Sequence, residues 1–473
     1  MRYFVLALII FPFLSSAQEQ LSLARAIELG LQNNFDVQIQ KLEIDIASRN
    51  NNWGQAGALP SVNLNGNQNN NITYRQPANP FAVPGQNISG NLVGQLDVQF
   101  ILFDGFFVRV SKRQLEQLEK VSYGNATLVI ENTIQAIILN YYLALMERER
   151  TDLRKKVMDF SRERFDYVKL RKELGGAITF DVLQAQNDYL TDSTNYLLQE
   201  LTYKNTIRNL NVLLNEDIST VYTLTDSLTF VDEAYGLDDL RRKMTSSNTN
   251  LRNQYMNQEL IRLATKAAMA DRYPTVTFNT GVNGSRDRLN ANFGSNTGPD
   301  VTTTVGYVNG DINSPVTNTA PSRIQVNQTN NGYSYGAYGN FTLRYTLFNG
   351  GQINRNIENA QVREQIAQMS VDQLKLSLEN GLQVTYDDYN LRRQLVEIAN
   401  VKFKAAELNL ELANERYKNG ALSAIDLRIV QEAYQNAALE NLLAIYNVLF
   451  SRTELVRITG GLVDEFNARP VQD

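Results

Sequence analysis

The chain contains no cysteine and no histidine, and a single tryptophan among 473 residues. Without cysteine there is no disulfide framework, no thiolate nucleophile and no acceptor for a lipid on a mature N-terminal Cys. Without histidine the usual general base is gone too. Cys/His zinc sites and Ser-His-Asp triads are therefore excluded together. Proline is sparse, at 10 residues, and none falls between Phe106 and Glu173.

What is present begins with "MRYFVLALIIFPFLSSA": one Arg, an apolar stretch from Tyr3 to Leu14, and Ser15 and Ala17 at the −3 and −1 places of a cleavage site. Residues 1–17 read as a secretory signal peptide that leaves Gln18 as the new N-terminus. The run falls short of the ~18 apolar residues a spanning helix needs, and no later segment reads as a membrane helix. Loss of residues 1–17 removes only Arg2 among the charged side chains, leaving 44 basic against 50 acidic ones. An exported, mildly acidic chain is a poor binder of nucleic acid.

The tetrapeptide LFDG (Leu102, Phe103, Asp104, Gly105) returns as LFNG (Leu347, Phe348, Asn349, Gly350), 245 residues later. At the same offset Tyr141 matches Tyr386, Arg171 matches Arg416, Gly175 matches Gly420, Asp181 matches Asp426 and Gln186 matches Gln431. Upstream the offset is 214, pairing Pro60 with Pro274 and Asn34 with Asn248. The chain is therefore a duplicated unit, and the second copy carries 31 extra residues, which the Asn/Gly/Thr/Ser-rich stretch 283–336 would hold as a loop.

Each copy reads as helix, proline, strand, polar loop, strand, LF(D/N)G corner and long helical hairpin. The expected division is a first repeat over 18–237, with strands near 60–67 and 95–103 and a hairpin over 106–215. A second repeat over 238–461 has strands near 274–282 and 338–348 and a hairpin over 351–459; residues 462–473 form a tail. The strands alternate: Leu96, Val98, Phe100 and Leu102 oppose Asp97 and Gln99, and Phe341, Leu343, Tyr345 and Leu347 oppose Asn340, Thr342 and Arg344. Such strands suit a sheet with one apolar and one wet face, of about the ~10-residue length that crosses an outer membrane.

The stretch from Phe106 to Glu173 can run as one helix of ~100 Å at ~1.5 Å per residue. Ile398, Val401, Ala405, Leu408 and Leu412 repeat at 3-4-3-4, and Ile134, Ile138, Tyr141 and Leu145 at 4-3-4, which is coiled-coil spacing. Four membrane-length strands cannot close a barrel alone, because open edges would face lipid, and barrels start at about eight strands. If they enter a membrane, several copies combine in a ring.

These features, with GGAITFDVLQAQ (Gly175 to Gln186) beside GALSAIDLRIVQ (Gly420 to Gln431), resemble the TolC-type outer membrane efflux family over nearly all the mature chain. The resemblance implies a mainly α fold with β structure: a homotrimer whose twelve strands form one outer membrane β-barrel in lipid, continuous with a long periplasmic α-helical barrel. LF(D/N)G would be the barrel-to-tube corner. The tips Gly175, Gly176, Ala177, Ile178, Thr179 and Gly420, Ala421, Leu422, Ser423 would dock a periplasmic membrane fusion adaptor, and through it an inner membrane transporter. Asp426, and Asp181 in the first copy, match inward carboxylates that constrict the tube; Arg428 would pair with a neighbouring acid there. The family's second acid one turn on is absent, since Gln184 and Ile429 stand in its place.

The implied function is a passive export duct in a tripartite efflux or type I secretion system, without enzyme activity, metal or cofactor. The alternative is a non-conducting structural or adhesive coiled-coil trimer of the envelope. Ser423-x-x-Asp426 is also a capping-box spacing, so Asp426 has a structural role available, whereas Asp181 would need a partner such as Thr179. Asp387-Asp388 reads as a solvated helix face rather than a hydrolase dyad.

Overall fold

The computed structural model describes residues 19–76, 78 and 84–466; the expected signal peptide lies outside them. In chain order the elements are β1 (Glu19–Leu21), α1 (Leu23–Asn33), α2 (Phe35–Asn50), β2 (Ser61–Arg75), β3 (Gly85–Asp104), α3 (Phe107–Glu173), α4 (Thr179–Leu214), β4 (Tyr222–Leu224), α5 (Leu237–Ser247) and α6 (Thr249–Ala270). There follow β5 (Thr275–Ser295), β6 (Asp300–Tyr307), β7 (Pro315–Pro321), β8 (Ile324–Arg344), α7 (Gln352–Lys418), α8 (Ala424–Ile458) and α9 (Leu462–Glu465). The chain separates into a helical unit (1–50, 116–262 and 362–473) and a sheet unit (51–115 and 263–361).

In the helical unit, each copy opens with two helices where the sequence reads as one. The break falls at Asn34 and at Asn248, the residues matched by the 214 offset. Asn34 Oδ1 accepts the Asp36 and Val37 N–H groups, capping α2, while Asn34 Nδ2 donates to Leu213 O at 3.0 Å. Asn248 repeats the arrangement: its Oδ1 accepts Leu251 N–H, and its Nδ2 donates to Ile458 O at 2.8 Å. Side-chain capping turns the chain here and ties each helix pair to the end of the returning helix.

The apolar stripe of α3 forms the main core. Ile134, Ile137, Tyr141 and Leu145 are fully buried against Ala26 and Ile27 of α1 and Leu210 and Leu214 of α4. Tyr141 Oη donates to Leu21 O and to Asp226 Oδ2, pinning β1 and the segment after β4 to α3. A stretch within α3 is apolar enough by length and composition to cross a membrane, contrary to the sequence reading, but its apolar side chains pack into this core. Residues 462–465, expected to start a tail, form α9, and Leu462 and Val463 bury into the same cluster. Gly124 allows close packing within the unit: a Cβ there would lie 2.4 Å from Met256 Cε and 2.7 Å from Asn253 Oδ1.

The sheet unit is an antiparallel sheet in the order β2-β3-β5-β8, leaving β2 and β8 at its edges. The expected 283–336 loop is largely strand. β5 and β8 pair from Thr275↔Arg344 to Ser295↔Ile324, and β6 with β7 makes a further hairpin. Asn and Gly are depleted in strands, which hid these; paired backbone hydrogen bonds override that preference. Leu102, expected on the face of Phe100, sits at a bulge where the register shifts between Ile101 and Phe103. Likewise β8 stops at Arg344, so Tyr345 and Leu347 fall outside the strand.

Candidate functional site: hairpin tips, charge network and corners

The two tips end α3 and α7 with the same backbone geometry. Gly175 (φ 79°) donates to Lys172 O and Gly176 to Arg171 O; Gly420 (φ 73°) donates to Tyr417 O and Ala421 to Arg416 O. This is a left-handed helix terminus, and a Cβ at Gly175 or Gly420 would meet nothing within 4 Å, so φ alone calls for glycine. Ile178 and Thr179 are exposed, as are Gly420, Ala421 and Ser423, while Ala177 and Leu422 are half-buried.

Both acids sit in the first turn of the returning helices. Ser423 Oγ accepts Asp426 N–H at 3.1 Å and donates to Asp426 Oδ2 at 2.7 Å. Asp181 takes no side-chain partner at Thr179; its Oδ2 accepts the Ile178 backbone N–H at 3.1 Å. A carboxylate can cap a helix through the backbone alone, so the missing serine is not needed. Both acids are exposed in the single chain.

Arg428 lies two residues further along α8 and faces a buried cluster. It donates to both oxygens of Asp192, at 2.6 and 3.1 Å, and to Glu432 at 2.9 Å. Asp192 is 2% exposed and also accepts Ser161 Oγ. Burial works against the Arg428 charge, but the hydrogen bond and charge of Asp192 outweigh it and raise its pKa. Beside it Arg164 pairs with Asp188 and reaches Gln431, and burial lowers its pKa although Asp188 opposes the change. Two cations and two acids from α3, α4 and α8 thus neutralise one another out of water, where removal of one partner is costly. A cavity of about 420 Å³ lies alongside, lined by Phe180, Asp181, Ala424, Ile425 and Arg428 among others.

The sequence reading missed Ser161, Arg164, Asp188 and Asp192. A signal for them existed: at the 245 offset the second copy has Ala406, Asn409, Ala433 and Ala437, so these four members of the cluster occur in the first copy only. Asp387 and Asp388 form no dyad; they bond Gln383 and Arg392 on their own helix.

At the corners, Gly105 and Gly350 have φ of 68° and 67°. The preceding residue has its own task. Asp104 Oδ2 accepts Val108 N–H at 2.9 Å and Asn349 Oδ1 accepts Ile353 N–H at 3.5 Å, so the D/N of each tetrapeptide caps the long helix that follows.

A four-stranded sheet with one apolar face, two 67-residue helices and paired glycine tips define an outer membrane channel fold. The same fold is found in the CmeC outer membrane channel of Campylobacter jejuni, with TM-score 0.70 and 15% identity over 93% of this chain and 85% of that one. It is found in the open-state MtrE outer membrane channel of Neisseria gonorrhoeae, with TM-score 0.66 and 16% identity over 93% and 89%. The outer membrane protein VceC of Vibrio cholerae matches with TM-score 0.65 and 14% identity over 93% and 96%. No curated protein matches the chain in sequence. Residues 240–461 match the model of the outer membrane efflux protein family. Over those residues the chain is similar to that TolC-type family, and its fold is the one seen in these outer membrane channels.

Proposed function

We propose that this chain works as a homotrimer and forms the passive exit duct of a tripartite efflux or type I secretion system. The observation that carries the trimer is apolar surface left bare in one chain. Phe35, Ile39, Leu42 and Ile46 form an exposed stripe on α2, and Ile398, Val401, Leu408 and Leu412 another on α7. The edges of β2 and β8 also lack partners within the sheet. A lipid-embedded sheet must close, and pairing β8 of one copy with β2 of the next does so.

In this reading the tips at Gly175–Thr179 and Gly420–Ser423 receive a periplasmic membrane fusion adaptor, which links the duct to an inner membrane transporter that supplies the energy. Three copies of Asp426 ring the entrance and favour cations. Asp181 adds charge beside them, and Arg428, through Asp192, holds α8 against α4 at rest. The capping contact of Asp426 is compatible with this role, since Ser423 engages one carboxylate oxygen.

Single-channel recording of the purified trimer in a planar bilayer tests the reading. Discrete, long-lived conductance steps are expected, and Asp426→Ala should raise resting conductance or weaken cation preference. Silence from well-folded trimers of both proteins would overturn the duct in favour of a non-conducting stalk.

A further inference from the structure

Strand β5 carries two arginines on the apolar side of the sheet. Its residues alternate between Asn279, Asn283 and Asp287 on the wet face and Val276, Phe278, Val282, Arg286 and Arg288 on the other. Cross-strand pairing fixes the assignment. Phe278 stands opposite Phe100 and Phe341, and Val282 opposite Leu96 and Ala337, all on the apolar side. Arg286 stands opposite Leu92 and Tyr333, and Arg288 opposite Gly90 and Asn331. Asp287, between them in sequence, points to the wet face and bonds Asn91 there.

The position along the strand is as informative as the face. Val276 marks the helix-bearing, periplasmic end, and Arg286 comes ten residues later. At ~3.3 Å per residue that is about 33 Å of strand. At the usual barrel tilt of ~40° it is about 25 Å of height, the thickness of an outer membrane's apolar band. Both arginines thus stand at the outer rim of the band, facing lipid. They are exposed, and among the described residues neither forms an ion pair. The Arg286 guanidinium lies 5.7 Å from the Tyr333 ring centroid, which holds it along the sheet surface. Tyr335, 84% exposed, adds a second amphipathic ring on the same face.

We propose that Arg286 and Arg288 bind the phosphate groups of a phosphorylated glycolipid of the outer leaflet. Residues two apart on a strand are about 7 Å apart, so their side chains can converge on one phosphorylated sugar. The planar guanidinium fork matches phosphate oxygens in pairs. The apolar band below receives the acyl chains. The proposal rests on the outer membrane placement and not on conduction.

The test titrates the purified full-length trimer in neutral detergent with lipopolysaccharide and with the same lipid after dephosphorylation, following bound lipid by native mass spectrometry. The wild type should bind the phosphorylated form at least ~10-fold more tightly, the scale of one or two charge-assisted hydrogen bonds. The R286Q/R288Q variant should lose that preference, and R286K/R288K should keep part of it. Equal affinity of wild type and R286Q/R288Q would overturn the proposal. Displacement of the glycolipid by millimolar inorganic phosphate would overturn it too, in favour of a small-anion site. Conductance of the same preparations is expected to be unchanged by R286Q/R288Q, so a failed duct and a failed lipid site give different results.

Discussion

Glu131 lies on α3 at 2% exposure, with Oε1 lacking a hydrogen-bond partner among the described residues. Burial pushes its pKa to about 7; Thr249 and Arg457 pull it down, and Glu454 adds a small push upward. The folded value lies above the unfolded one, so the native state holds the extra proton. Stability is therefore full below about pH 4.5, falls as pH rises, and is lowest above about pH 7. A shift of this size corresponds to roughly 3 kcal/mol at the alkaline limit. Glu131→Gln keeps the shape and removes the ionisation. It should raise the melting temperature at pH 8 and leave it nearly unchanged at pH 4.5. An equal effect at both pH values would show that the carboxyl does not titrate in this range.

The elements show where duplication is matched in geometry and where it is not. Gly105 and Gly350 share a left-handed φ, but a Cβ on Gly105 would lie 2.5 Å from Ala270 O, whereas at Gly350 it would meet nothing within 4 Å. Gly350→Ala should therefore cost only the backbone strain, about 1 kcal/mol. Gly105→Ala adds a steric conflict with a main-chain oxygen and should cost about 2 kcal/mol more. Comparing the two melting temperatures checks this, and equal losses would refute it. The glycine turns at corners and tips and the long helices were legible because glycine and the missing prolines act locally; the capping role of Asp104 and Asn349 was not read. The far halves of β5 and β8 were not legible, since Asn and Gly are disfavoured in strands and only pairing makes these segments strands. The Ser161–Asp192–Arg428 cluster was hidden for a related reason: its members come from three helices. Leu102 alternates correctly in sequence, yet the bulge shifts it, and no local pattern announces a bulge.

At the scale of the whole molecule, the heptad stripes of the two long helices, which lie at different places along them, have opposite fates. Ile134, Ile138, Tyr141 and Leu145 are at most 5% exposed, whereas Ile398, Val401, Leu408 and Leu412 are 52–64% exposed. The α7–α8 hairpin does not use the second stripe; it packs through Leu410, Phe403 and Tyr434 against Leu153 and Val157. Heptad spacing thus built an internal core in one copy and, at a different place along the matching helix, a bare surface in the other. Covering half of a Leu or Val side chain contributes about 1 kcal/mol, so four per chain give several kcal/mol per interface in a trimer. Val401→Glu with Leu408→Glu places two charges in that seam and removes its apolar contact. The variant should sediment as a monomer while keeping the wild-type helical circular dichroism, because the hairpin's own packing is untouched. Conductance should vanish with the trimer. A trimer that survives both substitutions would mean that the α7 stripe faces something other than a second copy of this chain.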